Sequence, residues 1–117
     1  MDEQPRTVEE VLDTIGDGRA RDVLAAVATE ARSAKELAEA CDMSLPTVYR
    51  RLEVLQEHEL VSERTAVADD GNHYNVYTCN FDSTVIKLDD DGYDVRIYRK
   101  ENAPDRFTQL WDDLAGE

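Results

Sequence analysis

The sequence predicts an α+β fold in which helical segments come first and β-hairpins follow. Apolar residues recur at i, i+3, i+4 and i+7 in the first half of the chain, which is typical of amphipathic helices. After residue 60 apolar and polar residues alternate, and turns that contain Asp and Gly interrupt the alternation. At 117 residues the chain is long enough for one compact domain and too short for two.

Two capped helices open the chain. Residues 7–10 have the Thr-x-x-Glu form of a capping box, and the helix that they begin should stop near Gly16. Asp17 is the expected N-cap of a second helix, which the apolar spacing extends through about residue 31.

A helix-turn-helix pattern follows. Ser33-Ala-Lys-Glu is a second capping box that opens a short helix over 33–40, and residues 41–43 form a tight connection. Ser44 is a good N-cap for the next helix, and Pro46 fits its first turn. The inward stripe of this helix consists of Val48, Leu52 and Leu55.

Two β-hairpins and a last helix complete the pattern. The first hairpin has strands at 60–68 and 74–81, and the second has strands at 83–88 and 93–99 around an Asp-Asp-Asp-Gly turn. A helix is predicted over 103–115. Its apolar face comprises Phe107, Leu110, Trp111 and Leu114.

This order of elements makes a winged helix over residues 17–81, with 1–16, 82–102 and 103–117 as additions to a single domain. The motif Met-Ser-x-Pro-Thr-Val-Tyr-Arg-x-Leu-x-x-Leu at residues 43–55, followed by Leu-Val, resembles the ArsR-like winged-helix family of prokaryotic transcription regulators. The resemblance implies sequence-specific binding of double-stranded DNA. The alternative is an adaptor of the transcription machinery that uses this fold to bind protein without base readout.

One position departs from the family pattern. The family often has Gly where this chain has Glu59, because a left-handed residue is expected to end the helix there. A residue other than Gly costs roughly 1 kcal/mol in that conformation. We therefore expect the helix to end differently, one residue later or at His58.

The composition is strongly acidic, with 27 acidic residues, 13 basic residues and a formal net charge of −14. Abundant Asp and only three Lys, spread over the whole chain, favour a surface adapted to high salt, as in haloarchaeal proteins. An ordinary acidic cytosolic protein is the alternative.

Residues 43–52 and 71–81 are two of the longest windows without a carboxylate, and they coincide with the expected recognition helix and wing. Carboxylates repel DNA phosphates, so a segment that contacts DNA is expected to lack them.

Three segments supply the candidate DNA contacts. Arg50 is the expected base reader, because a guanidinium pairs bidentately with guanine, unless Glu53 or Glu57 holds it in a salt bridge. Tyr49 is expected to contact a thymine methyl group or a phosphate, and Arg51 a phosphate. The candidates are Ser44, Pro46, Thr47, Tyr49, Arg50 and Arg51 in the recognition helix, Ser33 and Lys35 at the preceding helix N-terminus, and Arg64, Asn72, His73, Tyr74 and Asn75 in the wing.

Each of the two flanking groups of candidates has a structural alternative. Ser33 could be a plain cap beside a solvated lysine. The wing aromatics could simply cover the sheet, and Asp69 and Asp70 would repel phosphate if they faced it.

The cysteines predict no metal centre and no cofactor. Metal sensors of the ArsR-like family usually place two cysteines close together on a helix, whereas Cys41 and Cys79 are far apart. Buried structural cysteines are the favoured interpretation. A composite metal site with His58 and His73, and redox sensing by the thiols, are the alternatives. The sequence has no Gly-rich phosphate loop or nucleophile arrangement that would predict an enzyme.

The sequence also bears on assembly and location. The apolar face of the last helix has no place in a three-helix core, so we expect a homodimer that binds a pseudo-palindromic operator, with cations such as potassium at its acidic surface. No stretch approaches the ~20 apolar residues of a membrane span, and the first residues lack the features of an export signal. A cytoplasmic protein is expected.

Overall fold

The computed structural model describes residues 7–100, which form an α+β winged helix. The helices are α1 (Val8–Gly16), α2 (Gly18–Ala26), α3 (Ala34–Cys41) and α4 (Leu45–Glu57), and the strands are β1 (Val61–Val67), β2 (His73–Cys79), β3 (Phe81–Asp89) and β4 (Gly92–Arg99). The predicted order of helices and hairpins is therefore confirmed for this part of the chain. The helix predicted over 103–115 lies outside the described residues.

The four strands form two separate antiparallel hairpins. In the first, which is the wing, the register runs from Val61 opposite Cys79 to Val67 opposite His73. The second pairs β3 with β4. An isolated bridge between Arg32 and Tyr77 joins the segment before α3 to β2. This bridge ties the wing to the helical core.

The core lies where α2, α3 and α4 meet the base of the wing. Val48, Leu52 and Leu55 are at most 1% exposed, which confirms the predicted inward stripe of α4. Leu60 is also fully buried, so the chain enters β1 from inside the core. The second hairpin reaches the same cluster through partly buried side chains. These are Phe81 and Ile97.

The prediction that α2 runs to about residue 31 is wrong, because α2 ends at Ala26. The Arg32 side chain donates a hydrogen bond from Nε to the Ala26 carbonyl oxygen. The Arg32 backbone exchanges hydrogen bonds of 3.1 and 2.8 Å with Tyr77. The segment after α2 therefore turns over residues 27–30 and pairs with the wing at Arg32 instead of continuing the helix.

Of the two endings expected for this helix, the one at His58 is found, but Glu59 keeps the left-handed conformation that was not expected for it. Helix α4 ends at Glu57 with His58 as its C-cap, and Glu59 adopts a left-handed conformation with φ of 59°. The Leu60 amide donates a hydrogen bond to the Leu55 carbonyl oxygen, and the Glu59 amide donates one to the Gln56 carbonyl oxygen. The donor–acceptor distance is 2.9 Å in both. These two bonds make a Schellman motif. Burial of Leu55 and Leu60 offsets the cost of a left-handed Glu.

Within residues 7–100, none of the helices combines the length and the apolar character that a membrane span requires.

Candidate nucleic-acid interface

The N-terminal half of α4 projects from the core beside the wing. The Ser44 hydroxyl accepts a hydrogen bond from the Thr47 amide at 3.3 Å and donates one to the Thr47 hydroxyl at 2.9 Å. Pro46 lies in the first turn, where no amide donor is needed. Ser44, Pro46, Tyr49 and Arg50 are exposed and Thr47 is half-buried. The predicted outer face of this helix is therefore accessible.

A groove of about 340 Å³ lies between α4 and the wing, and we call it the helix–wing groove. It brings together members of all three predicted contact segments. Its lining consists of Ser33, Ala34, Lys35, Leu45, Tyr49, Tyr74, Asn75 and Tyr77. Lys35 is the only charged residue among these eight, so the groove carries no carboxylate.

Three other surface cavities of the described chain differ from the helix–wing groove in that their linings contain carboxylates, in two of them beside basic residues. A cavity of about 420 Å³ against α2 contains Asp82, and one of about 390 Å³ between α1, α2 and α4 contains Asp13 and Asp17. The fourth, of about 270 Å³, contains Glu10, Asp13 and Glu57. Of these four cavities, the helix–wing groove is the one whose lining has no carboxylate.

Aromatic side chains give the groove its shape. Tyr49 and Tyr74 are 51% and 44% exposed, and they approach the groove from α4 and from β2. Tyr77 is buried beneath them. Burial, with smaller contributions from the Glu63 carboxylate and the Tyr49 hydroxyl, raises the pKa of the Tyr77 hydroxyl. Tyr77 therefore stays neutral at physiological pH.

Ser33 at the N-terminus of α3 acts as a helix cap. Its hydroxyl accepts a hydrogen bond from the Glu36 amide at 3.1 Å, and the Glu36 carboxylate accepts one from the Ser33 amide at 2.8 Å. The predicted capping box is thus confirmed. A carboxylate already occupies part of this helix N-terminus, while Lys35 is exposed on the rim of the groove.

The two adjacent arginines of α4 have different environments. Arg50 is exposed and donates from Nη2 to the Thr47 hydroxyl at 3.4 Å, and it forms no ion pair with Glu53 or Glu57 within residues 7–100. Arg51 is half-buried and donates from Nε to Oδ2 of Asp17 at 2.8 Å. The phosphate contact of Arg51 stays a prediction, but its side chain has an internal partner.

The Arg51 contact also changes the role of Asp17. Asp17 occupies the N-cap position of α2, as predicted, but its side chain makes no capping hydrogen bond. The hydrogen bond from Arg51, together with its positive charge, lowers the pKa of the Asp17 carboxyl although partial burial opposes the shift. Asp17 therefore joins the start of α2 to the middle of α4.

The predicted wing residues are exposed, but they do not act alike. Asn72 at the turn donates two hydrogen bonds to the Asp70 carboxylate, one from its backbone amide and one from its side chain, both with a donor–acceptor distance of 3.0 Å. Tyr74 and Asn75 line the helix–wing groove, whereas Arg64 and His73 are exposed elsewhere on the wing. The part of the wing nearest α4 is thus better placed for a shared ligand than its tip.

The two cysteines lie in different parts of the fold. Cys41 is half-buried at the end of α3, where burial and the nearby Asp22 carboxylate raise the pKa of its thiol despite an opposing effect of Arg32. Cys79 lines the cavity against α2. Among residues 7–100, no three His, Cys, Asp or Glu side chains lie close enough to hold a metal ion, so the composite metal site is not formed there.

Comparison with known proteins agrees with this architecture. Residues 15–64 match a family model described as a helix-turn-helix domain. The fold is that of a winged helix-turn-helix. The chain is similar to the reduced form of the transcriptional regulator YodB from B. subtilis, with a TM-score of 0.55 and 16% identity over 98% of this chain and 97% of that chain.

A second similar structure is a possible transcriptional regulator from Methanosarcina mazei Go1. The TM-score is 0.51 and the identity 16%, over 97% of this chain and 88% of that chain. No curated protein sequence matches the chain significantly. At this identity the two structures establish the fold, and the site must be argued from the residues of this chain.

The Asp17–Arg51 pair leads to a prediction about pH. Because the pKa of Asp17 is lowered by folding, the pair stabilises the protein above the ordinary Asp pKa of 3.8 and ceases to do so as the pH falls through the lower folded value. Asp17→Asn should lower the free energy of unfolding at pH 7 by no more than about 1 kcal/mol, since both side chains are partly exposed. Chemical denaturation at constant salt measures this.

The matched control is Asp13→Asn, since Asp13 lines the same cavity but is not the carboxylate that Arg51 contacts. The difference between Asp17→Asn and wild type should shrink as the pH falls below 3.8. A difference that stays constant with pH would contradict the assignment.

Proposed function

We propose that this protein is a sequence-specific transcription regulator that binds double-stranded DNA as a homodimer in a salt-rich cytoplasm. The helix–wing groove is the observation that carries the proposal, because it joins the three candidate segments and contains no carboxylate. A net charge of −14 repels phosphates from most of the surface. The motif at residues 43–55 and the acidic composition support an ArsR-like regulator of haloarchaeal type.

The position of the groove between α4 and the wing suits a strand of bound DNA. A recognition helix enters the major groove with its N-terminal residues toward the bases, while neighbouring groups contact phosphates. One sugar-phosphate strand separates the major groove from the adjacent minor groove. When α4 lies in the major groove and the wing lies beside the minor groove, that strand runs through the helix–wing groove of the protein. Lys35, Tyr49 and Asn75 supply hydrogen-bond donors there.

Arg50 is the proposed base reader. It is exposed near the start of α4, at the edge of the cavity that contains Asp13 and Asp17. Within the described chain its guanidinium makes no ion pair, and it donates a hydrogen bond to the Thr47 hydroxyl. A guanidinium in this position matches the two acceptors that guanine presents in the major groove.

The competing function is a protein-binding adaptor that uses the same fold without base readout. Exposed Tyr and Leu side chains suit protein interfaces as well. However, a protein partner does not require a surface without carboxylates, whereas a polyanion does. The titles of the two similar structures, a transcriptional regulator and a possible one, support regulation of transcription.

Selection from a random duplex DNA library in molar potassium chloride tests the proposal. The wild-type protein should enrich a defined sequence. Arg50→Ala should bind that sequence more weakly by about 1–3 kcal/mol and lose the preference at one base pair of each half-site. Fluorescence anisotropy with the selected duplex measures both effects.

Arg96→Ala is the matched control, since Arg96 is an exposed arginine of the second hairpin, paired with Asp94. It should bind like wild type. Enrichment of no sequence by the wild-type protein would favour the adaptor, and unchanged binding by Arg50→Ala would remove the base reader.

The homodimer is proposed to form through residues 103–115, which the described structure does not include. If the predicted apolar face of this segment packs against the same segment of a second chain, the two chains are related by two-fold symmetry. Their recognition helices are then related by the same axis. The two half-sites should then lie about one turn of DNA, ~34 Å, apart on a pseudo-palindrome.

Trp111→Glu should convert the dimer to monomers, because a charge in the centre of an apolar interface is left without a partner. Sedimentation equilibrium in molar potassium chloride should give the mass of one chain, and operator affinity should fall. Leu88→Glu, at an exposed leucine of the second hairpin, is the control and should remain dimeric. A Trp111→Glu protein that sediments as a dimer would place the interface elsewhere.

Salt dependence is the second consequence of the acidic surface. Carboxylates that approach DNA phosphates repel them unless cations such as potassium lie between. Cation uptake on binding then opposes the cation release that ordinarily makes DNA binding weaken with salt. Glu36, Asp69 and Asp70 are exposed carboxylates near the proposed contacts.

We therefore expect specific binding to persist at molar potassium chloride. The slope of log affinity against log salt concentration should be shallow or positive. Titrations of the selected duplex across the salt range in which the protein stays folded measure the slope. A steep negative slope would contradict the role of cations but not the binding of DNA.

A further inference from the structure

Leu45 is an exposed aliphatic side chain at the first position of α4. It is 41% exposed, although its spacing from Val48 and Leu52 continues the inward stripe of the helix. Tyr49 follows four residues later, so the two side chains are neighbours on the helix surface. Both line the helix–wing groove.

The exposed apolar surface at the groove forms a cluster. Leu45, Tyr49 and Tyr74 are three large side chains with at least 41% exposure, and they come from two different elements. Single exposed hydrophobic side chains are ordinary, whereas a cluster in a concave site is typical of a binding surface. Leu45 and Tyr49 lie on the α4 side of the groove, and in the complex proposed above α4 is the element that enters the major groove.

The chemistry of base pairs limits what a leucine can read. The edges exposed in the major groove carry hydrogen-bond donors and acceptors, and the only apolar group among them is the C5 methyl of thymine. Residues at the N-terminus of a recognition helix are those that meet base edges. A side chain that cannot form hydrogen bonds can therefore select a base there only through this methyl group.

We propose that Leu45, supported by Tyr49, determines specificity for one thymine in each half-site by contact with its C5 methyl group. This inference rests on the proposed function, which it extends from DNA binding to a defined base. It assigns a role to a residue that the motif leaves unspecified.

Thymine-to-deoxyuridine substitution tests the contact, because it removes only the methyl group. In the duplex selected by the wild-type protein, each thymine is replaced in turn and affinity is measured by fluorescence anisotropy at fixed potassium chloride. At one thymine per half-site, loss of the methyl group should weaken wild-type binding about fourfold, the value expected for burial of one such group.

Variants of Leu45 identify the side chain that makes the contact. Leu45→Ala should bind the thymine and deoxyuridine duplexes equally, and Leu45→Met should keep the preference because its side chain is similar in size and apolar. Leu88→Ala is the matched control, since Leu88 is 67% exposed on the second hairpin. It should retain the full thymine preference. Circular dichroism confirms that each variant is folded.

The outcomes separate this inference from the proposed function. A selected duplex in which no deoxyuridine substitution weakens wild-type binding would overturn the thymine contact alone. A Leu45→Ala protein that keeps the wild-type preference would overturn the assignment to Leu45. Failure of the wild-type protein to select any duplex would overturn both the inference and the function on which it rests.

Discussion

Burial of one side of α4 is the constraint on which the rest of the structure depends. Val48, Leu52 and Leu55 are at most 1% exposed, and α2, α3 and β1 all pack against this helix. Full burial of each such side chain contributes about 1.5–3 kcal/mol, more than the partly exposed ion pair of Arg51. Packing therefore fixes the rotation of α4, and that rotation turns Tyr49 and Arg50 outward.

The same constraint extends through the end of α4 into the wing. The Schellman motif at Glu59 brings Leu60 into the core, so β1 leaves the helix in a fixed direction. The Asn80 side chain donates to the Glu59 carbonyl at 2.9 Å, and the bridge from Arg32 to Tyr77 ties β2 to the helices. The helix–wing groove exists because these contacts hold the wing beside α4.

Electrostatics then decides which surface can meet a polyanion. Several carboxylates have partners within the fold: Asp17 is neutralised by the Arg51 guanidinium, whereas Glu36 and Asp70 accept hydrogen bonds from uncharged groups of Ser33 and Asn72. The helix–wing groove is kept free of carboxylates, although the chain carries 27 acidic residues. Such a division leaves one region compatible with phosphate on an otherwise strongly acidic surface.

The sequence by itself determined the order of helices and hairpins, because capping boxes, Asp- and Gly-containing turns and apolar spacing are local signals. It also identified Lys35, Tyr49, Tyr74 and Asn75, which the fold brings to one groove. Their proximity could not be predicted from the sequence, since it depends on how β2 packs beside α4.

Only the tertiary structure decided the contacts between distant residues. Arg51 pairs with a carboxylate 34 positions away. Arg32 contacts both the end of α2, through its side chain, and β2, through its backbone. Leu45 has the spacing of a core residue but lies at the first position of α4, where the side chain remains exposed. Periodicity reports which face of a helix is apolar, whereas burial depends on whether another element covers that position.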